Sequence, residues 1–244
     1  TFGFVVGLLQ IVMTRRVENL RKTTEGGALN DALNDKLGSK FQNIYLSDST
    51  CQAVPPNLAL LFPSSHNQAG KTKATLRLQV TYNYTSNVFS FFELSSFRDN
   101  DQSASDNILS VAQEGDLVIR DLGYFALGVF AQMGQEGIYF LSKYKYGVKV
   151  LDAQTKQEIN LHQLFHGKNA VDMVVKLGAK EQLEVRIVAN KLPELVAKQR
   201  IEKAKAERHS KVEHSKEYYE LLKWEIYVTN VEIEILKPFE IKEL

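Results

Sequence analysis

The chain has 244 residues, 44% of them hydrophobic, with 30 Lys plus Arg set against 29 Asp plus Glu for a formal net charge of +1. This length and apolar content exclude wholesale disorder and allow one elaborate domain or a core with an inserted subdomain, while the charge balance excludes any argument for nucleic acid from global electrostatics. A single cysteine, Cys51, excludes an internal disulfide and fits a reducing compartment.

The opening run from Phe2 to Met13 is apolar except for Gln10 but falls short of the about 20 residues needed to span a bilayer. No basic segment precedes it and no small-residue cleavage pattern follows promptly, so a buried helix in a soluble, intracellular protein is expected. The chain opens on Thr1 rather than Met, which fits an excerpt from a longer protein. Helix is predicted from Phe2 to about Gly38, broken near Gly26 and Gly27, with Leu29, Leu33 and Leu37 forming a stripe.

Asn43 to Asp48 reads as a short buried strand ending on an acid. After a loop around Pro63 to Gly70, Ala74 to Tyr84 alternates, with Leu76, Leu78, Val80 and Tyr82 on one face. Val88 to Phe97 follows a turn at Ser86 and Asn87, and together the two runs predict a hairpin or meander. A polar stretch, Arg98 to Asp106, leads into a predicted helix from Ser105 to Gln113 with Ser103 or Ser105 as its cap. Asp116 to Asp121 then repeats the first pattern, a short buried strand finishing on an acid, before a break at Gly123.

Phe125 to Met133 predicts a helix and Ile138 to Leu141 a fifth strand. From Tyr146 to Lys191 alternating segments at Val148–Leu151, Val171–Val175 and Leu183–Val188 predict a β-rich insertion. Pro193 opens a charged helix running to about Glu220, and Trp224 to Asn230 returns as a strand. The chain therefore divides into a helical N-terminal segment (1–40), the first part of a core (41–145), the insertion with its charged helix and return strand (146–231), and a terminal piece (232–244).

Three mostly antiparallel strands, a helix and another strand is the order of RNase H-like, retroviral-integrase-like α/β cores, in which acids at neighbouring strand ends gather divalent metal. Asp48 and Asp121 stand 73 positions apart, so only the fold could join them. Mg²⁺ favours hard oxygen ligands, and two such ions can activate an attacking hydroxyl and stabilise the leaving oxygen in phosphoryl transfer. Spacing by itself also allows the plainer role, since acids after strands often cap helices or fill turns.

The residues around the two acids carry more. Asp48-Ser49-Thr50 and Asp121-Leu122-Gly123-Tyr124-Phe125 resemble the first and second acid motifs of bacterial DDE transposases. Gly115 to Arg120, Tyr139 to Tyr144, Leu58 to Ser64 and Trp224 to Val231 resemble the family's flanking segments, so the likeness runs from about Phe41 to Val231. It is closest to the large insertion-sequence family that transposes by cut and paste. The resemblance implies an RNase H-like core interrupted by a mainly β insertion, with Asp48 and Asp121 as catalytic and metal-binding residues for two Mg²⁺ or Mn²⁺ ions. It implies strand cleavage and transfer at double-stranded DNA transposon ends, at least a dimer in the synaptic complex, no membrane, and a bacterial cytoplasm with nucleoid association.

In that family the third ligand is a Glu on a later helix, within a Tyr, Arg, Glu, Lys signature. The chain stops at Leu244 before such a signature, and Glu232, Glu234, Glu240 and Glu243 lack its context. The piece alone is therefore expected to show no transposition chemistry. The alternative is a non-catalytic DNA-binding or assembly remnant of a transposase.

Resemblance also makes Trp224 a DNA-binding residue, stacking on a flipped base, although a lone Trp beside Leu221, Leu222 and Ile226 equally suits a core. Arg200, Lys203 and Lys205 are the candidate phosphate contacts on the charged helix. Seven cations against five Glu between Glu194 and Glu217 also describe an ordinary solvated face. His162, His166, His209 and His214 lack zinc-finger spacing, Cys51 lacks a thiol-protease context, and Gly26-Gly27 lacks the Lys and Ser/Thr of a phosphate loop.

Overall fold

The computed structural model describes residues 37–64, 74–207 and 214–242. The chain forms two compact units that divide between Phe140 and Leu141. The N-terminal helix predicted from Phe2 lies outside the described residues up to Leu37, which is buried.

In the first unit the strands are β1 (Ile44–Val54), β2 (Ala74–Asn83), β3 (Val88–Ser96) and β4 (Leu117–Arg120), adjacent in the order β3, β2, β1, β4. β2 is antiparallel to both β1 and β3, whereas β4 runs parallel to β1. This is the RNase H-like arrangement. A parallel pair needs a long crossover, and the β2–β3 hairpin together with a 3-10 turn at Ser105–Ser110 supplies it. The hairpin closes at Asn87, whose φ of 64° an asparagine tolerates. Its side chain accepts a 2.8 Å hydrogen bond from the Tyr82 hydroxyl.

Two expectations are corrected here. The first strand does not end at Asp48 but continues to Val54, because β2 supplies antiparallel partners along its whole length. The helix expected over Ser105 to Gln113 is the shorter 3-10 turn, with Ala104 at its start and no side-chain cap. The two serine hydroxyls point back along the chain instead, Ser103 Oγ donating to the Asn100 carbonyl and Ser105 Oγ to that of Gln102, each at 2.7 Å.

Helix α1 (Leu127–Gln135) buries Phe130 and Met133. The Phe130 ring stacks on Phe140 with centroids 4.3 Å apart, and Phe125 meets it edge-on at 5.2 Å. Ile44, Leu117, Ile108 and Ile138 complete a dry core. Gly115, at φ +84°, makes the left-handed turn into β4 that a side chain would resist.

In the second unit β5 (Tyr139–Lys143, spanning the division), β6 (Val150–Asp152), β7 (Ala170–Leu177), β8 (Leu183–Lys191) and β9 (Trp224–Thr229) lie in the order β5, β9, β8, β7, β6. Every neighbouring pair is antiparallel. The β-rich insertion is thus continuous with the return strand: β8 pairs with β9 from Arg186 opposite Thr229 to Lys191 opposite Trp224. Among the described residues four helices accompany this sheet: α2 (Leu161–Phe165), α3 (Glu194–Glu207), α4 (Lys216–Leu221) and α5 (Pro238–Lys242). Ser215 accepts from the Tyr218 amide at 3.2 Å, so α4 starts afresh with its own cap rather than extending α3. No helix among the described residues is long and apolar enough to cross a membrane.

Candidate functional site

The parallel ladder between β1 and β4 runs from Ile44 opposite Leu117 to Ser47 opposite Arg120. Asp48 is the next residue of β1, and Asp121 is the first residue past β4. Asp121 keeps an extended backbone, φ −71° and ψ 163°, so the direction of β4 continues through it. Neighbouring strands in equal register stand about 5 Å apart with facing residues on one side of the sheet, so one further step of the β1–β4 register would bring Asp48 beside Asp121. Ile44, Tyr45 and Ser47 are buried, Leu46 is already 37% exposed on the face that Asp48 shares, and Asp48 and Asp121 are exposed.

Asp48 Oδ1 accepts the Ser49 amide at 2.7 Å. A carboxylate has about four acceptor positions, so this contact leaves capacity for a cation. Two exposed carboxylates at one height fit Mg²⁺ or Mn²⁺, which bind through one or two carboxylates with water or phosphate completing the shell. Among the described residues no group of three or more His, Cys, Asp and Glu could hold a metal ion. Glu240, one of the late acids, accepts the Lys237 amide at 2.8 Å at the start of α5. Cys51 is exposed.

The ladder is fastened at its other end by residues that sequence reasoning missed. Asn43 and Asp116, one position before the first ladder pair, are joined by a 2.9 Å hydrogen bond from Asn43 Nδ2. Asp116, 1% exposed, also accepts the Gln113 amide at 2.8 Å, and Asn83 Nδ2 donates to Asn43 Oδ1 at 3.0 Å. β1, β2 and the start of β4 are thereby pinned together.

Close to the two acids lies a second unanticipated cluster. Arg77 Nη1 donates to Asp101 Oδ1 at 2.6 Å and to Ser49 Oγ at 3.1 Å, and Gln79 Nε2 donates to the same Asp101 oxygen at 3.0 Å. The Tyr124 hydroxyl donates to Gln79 Oε1, and the Arg120 guanidinium lies 4.6 Å over the Tyr124 ring. Burial alone would push the Asp101 carboxyl up, but hydrogen bonds from Ser49 and Gln79 and the Arg77 charge hold it below the usual carboxylate range. Burial, reinforced by the Asp101 charge, lifts the Tyr124 phenol well above its ordinary value, so it stays a donor. Burial draws Arg120 down to about 10. Gly123-Tyr124, within the second acid motif, is the sequence signal that leads to this cluster.

In the second unit Trp224 is 9% exposed and its ring lies 4.6 Å from that of Phe165. The same two rings border a cavity of about 250 Å³ whose rim carries His162, Lys168, Lys191 and Lys223. Lys223 is paired with Glu220 at 2.7 Å. On α3, Arg200 reaches Glu225 at 3.2 Å and Lys205 Nζ lies 5.6 Å over the Tyr219 ring, while Lys203 and Lys205 are exposed. Trp224 thus has a core neighbour and a basic cavity together, and Arg200 and Lys205 are held by Glu225 and Tyr219.

A family model described as "Transposase DDE domain" matches residues 39–244. The chain is 30% identical over 232 residues to the transposase for insertion sequence element IS231F of Bacillus thuringiensis subsp. israelensis, covering 87% of this chain and 48% of that protein. It is 28% identical over 214 residues to the IS231E transposase of subsp. finitimus, covering 80% and 44%. The chain spans about half the length of these relatives. A piggyBac transposase synaptic complex with hairpin DNA overlaps 78% of this chain and 33% of its own at 8% identity and a TM-score of 0.42, a slight likeness.

Proposed function

Because the chain belongs to the transposase DDE domain family, we propose that it supplies two of the metal-binding carboxylates of a DNA transposase, Asp48 and Asp121. Its chemistry is strand cleavage and transfer at double-stranded transposon ends. The observation that carries this reading is the register of β1 and β4, in which both acids directly follow the last ladder pair and both are exposed. When bound, two Mg²⁺ or Mn²⁺ ions would activate the attacking oxygen and stabilise the leaving one. The chain's own part is to hold two hard donors at fixed separation and to keep water and phosphate access open above them.

DNA contact is assigned in the same reading to the cavity beside Trp224 and to Arg200, Lys203 and Lys205. The support is chemical: lysines and a histidine rim an aromatic-walled cavity of base-like dimensions. Joining two transposon ends calls for at least a dimer in the active assembly, and the domain plan is a core from 41 to 145 interrupted by the insertion from 146 to 231.

Mn²⁺ titration followed by electron paramagnetic resonance tests the metal reading. Weak binding is expected, lost in both Asp48→Asn and Asp121→Asn. Unchanged binding in the two variants would sink it. Two acids without a third ligand among the described residues also suit a non-catalytic assembly remnant, and retention of DNA binding with no metal binding at all would favour that role.

A further inference from the structure

The cluster beneath the two acids has more connections than an ion pair needs for stability. One carboxylate oxygen of Asp101 receives both Arg77 and Gln79 from β2. Arg77 also holds Ser49, the residue directly after Asp48. Gln79, 3% exposed, receives the hydroxyl of Tyr124, three residues after Asp121. Asp101 further abuts the turn itself, since a Cβ placed on Gly123 would lie 2.8 Å from Asp101 Oδ2 and 3.1 Å from its Cβ. On the far side Arg120, the residue before Asp121, covers the Tyr124 ring and donates to the Ser105 carbonyl. Asp101 and Ser105 both belong to the stretch after β3, so that stretch holds the Arg120 side chain before Asp121, abuts the turn at Gly123 after it and, through Arg77, reaches the Ser49 hydroxyl after Asp48.

We propose that Asp101 is a positioning residue: it fixes the distance and orientation of Asp48 relative to Asp121 by tying the strand after the first acid to the turn after the second. This rests on the reading of those two acids as metal ligands. Asp101 Oδ1 is engaged by Arg77 and Gln79, and among the described residues Asp101 forms no three-residue metal group with Asp48 and Asp121. Groups that orient metal-binding side chains typically matter about 10- to 100-fold in metal affinity, because a small displacement of one carboxylate makes the ion give up a ligand or distort its shell.

The geometry also explains why glycine occupies position 123. Asp101 is held from behind by Arg77, whose side chain is 11% exposed, so it cannot retreat from a methyl group without breaking the 2.6 Å pair. Gly123→Ala therefore displaces Asp101 while leaving every charge in place. Asp101→Asn keeps the shape but leaves Arg77 without its counter-charge.

The test compares Mn²⁺ affinity, read by electron paramagnetic resonance, in the unmodified chain, Asp101→Asn, Gly123→Ala and Asp48→Asn, with circular dichroism showing that each is folded at the assay temperature. Roughly tenfold weaker binding is expected in both Asp101→Asn and Gly123→Ala, and complete loss in Asp48→Asn. A purely structural Asp101 would lower the melting temperature and leave the affinity of the folded protein unchanged, and that result overturns the proposal. Should Asp101→Asn fail to fold, Gly123→Ala decides by the same criterion. Should Asp48→Asn bind Mn²⁺ as the unmodified chain does, the metal reading itself falls and this one with it.

Discussion

Asn43 donates a 2.9 Å hydrogen bond to Asp116 one position before the β1–β4 ladder begins, and Asp48 and Asp121 stand one position after it ends. The ladder therefore has a polar lock at one end and the candidate site at the other. Asp116 is almost fully buried, so replacing Asn43 removes a donor that water cannot easily replace. Asn43→Ala is expected to cost about 1 to 3 kcal/mol, the penalty of an unsatisfied buried acceptor. Urea denaturation measures it, and a loss well under about 0.5 kcal/mol, the low end for a single hydrogen bond, would show that Gln113 alone satisfies Asp116.

A second lock holds the second unit. Arg186 Nε and Nη2 bind the two oxygens of Asp172, each at 2.7 Å, and Nη1 reaches the carbonyls of Val231 and Leu236 at 3.3 and 2.6 Å. The segment after β9 is thus attached to the middle of β8. Arg186→Met leaves Asp172 and two carbonyls without their donor, and about 3 to 5 kcal/mol of stability should be lost. Faster proteolytic cleavage within 230–237 than elsewhere in the variant would locate the loss at this attachment.

How much of this was legible in the chain follows from the range of each signal. β2, β3, β4 and β5 are local runs of apolar and β-branched residues bounded by turns, and their patterns survive in the fold. Asp48 and Asp121 stand out as candidates because their immediate neighbours resemble family motifs. Asp101 was not, since its stretch is polar throughout and its partners Arg77 and Gln79 lie 24 and 22 positions away. The same holds for Asn43 and Asp116, and for the placing of β9 between β5 and β8. No periodicity within a segment encodes a pairing between segments.

Affinity for DNA at the cavity beside Trp224 should depend on salt. Lys168 and Lys191 are exposed at its rim. Replacing both with Gln should flatten the plot of log affinity against log salt by about 0.9 for each phosphate no longer neutralised. Trp224 emission should quench on adding a hairpin with an extrahelical base. A saturating complex with unchanged emission would return Trp224 to the role its packing against Phe165 already describes, that of a core residue.

Asp101 also predicts a response to acid. Its folded pKa lies below its ordinary value, so its carboxylate stabilises the fold above the unfolded pKa of about 3.9 and that contribution is lost as pH falls through the lower folded value. The stability gap between the unmodified chain and Asp101→Asn should be full above about pH 5 and shrink on acidification below about pH 4. Thermal melts across that range measure the gap, and a gap independent of pH would mean that the charge of Asp101 contributes nothing.

The way β1 meets β4 has a consequence for how such a site can vary. Side chains alternate along a strand, so inserting one residue between Ile44 and Asp48 would turn Asp48 to the opposite face. Residues added between Val54 and Ala74, away from the Asp101–Ser105 stretch, leave the ladder untouched. The β1–β4 register is thus tolerant of length in that connection and strict about odd and even within its four residue pairs. That loop is free to grow, and the count of residues along β1 is not.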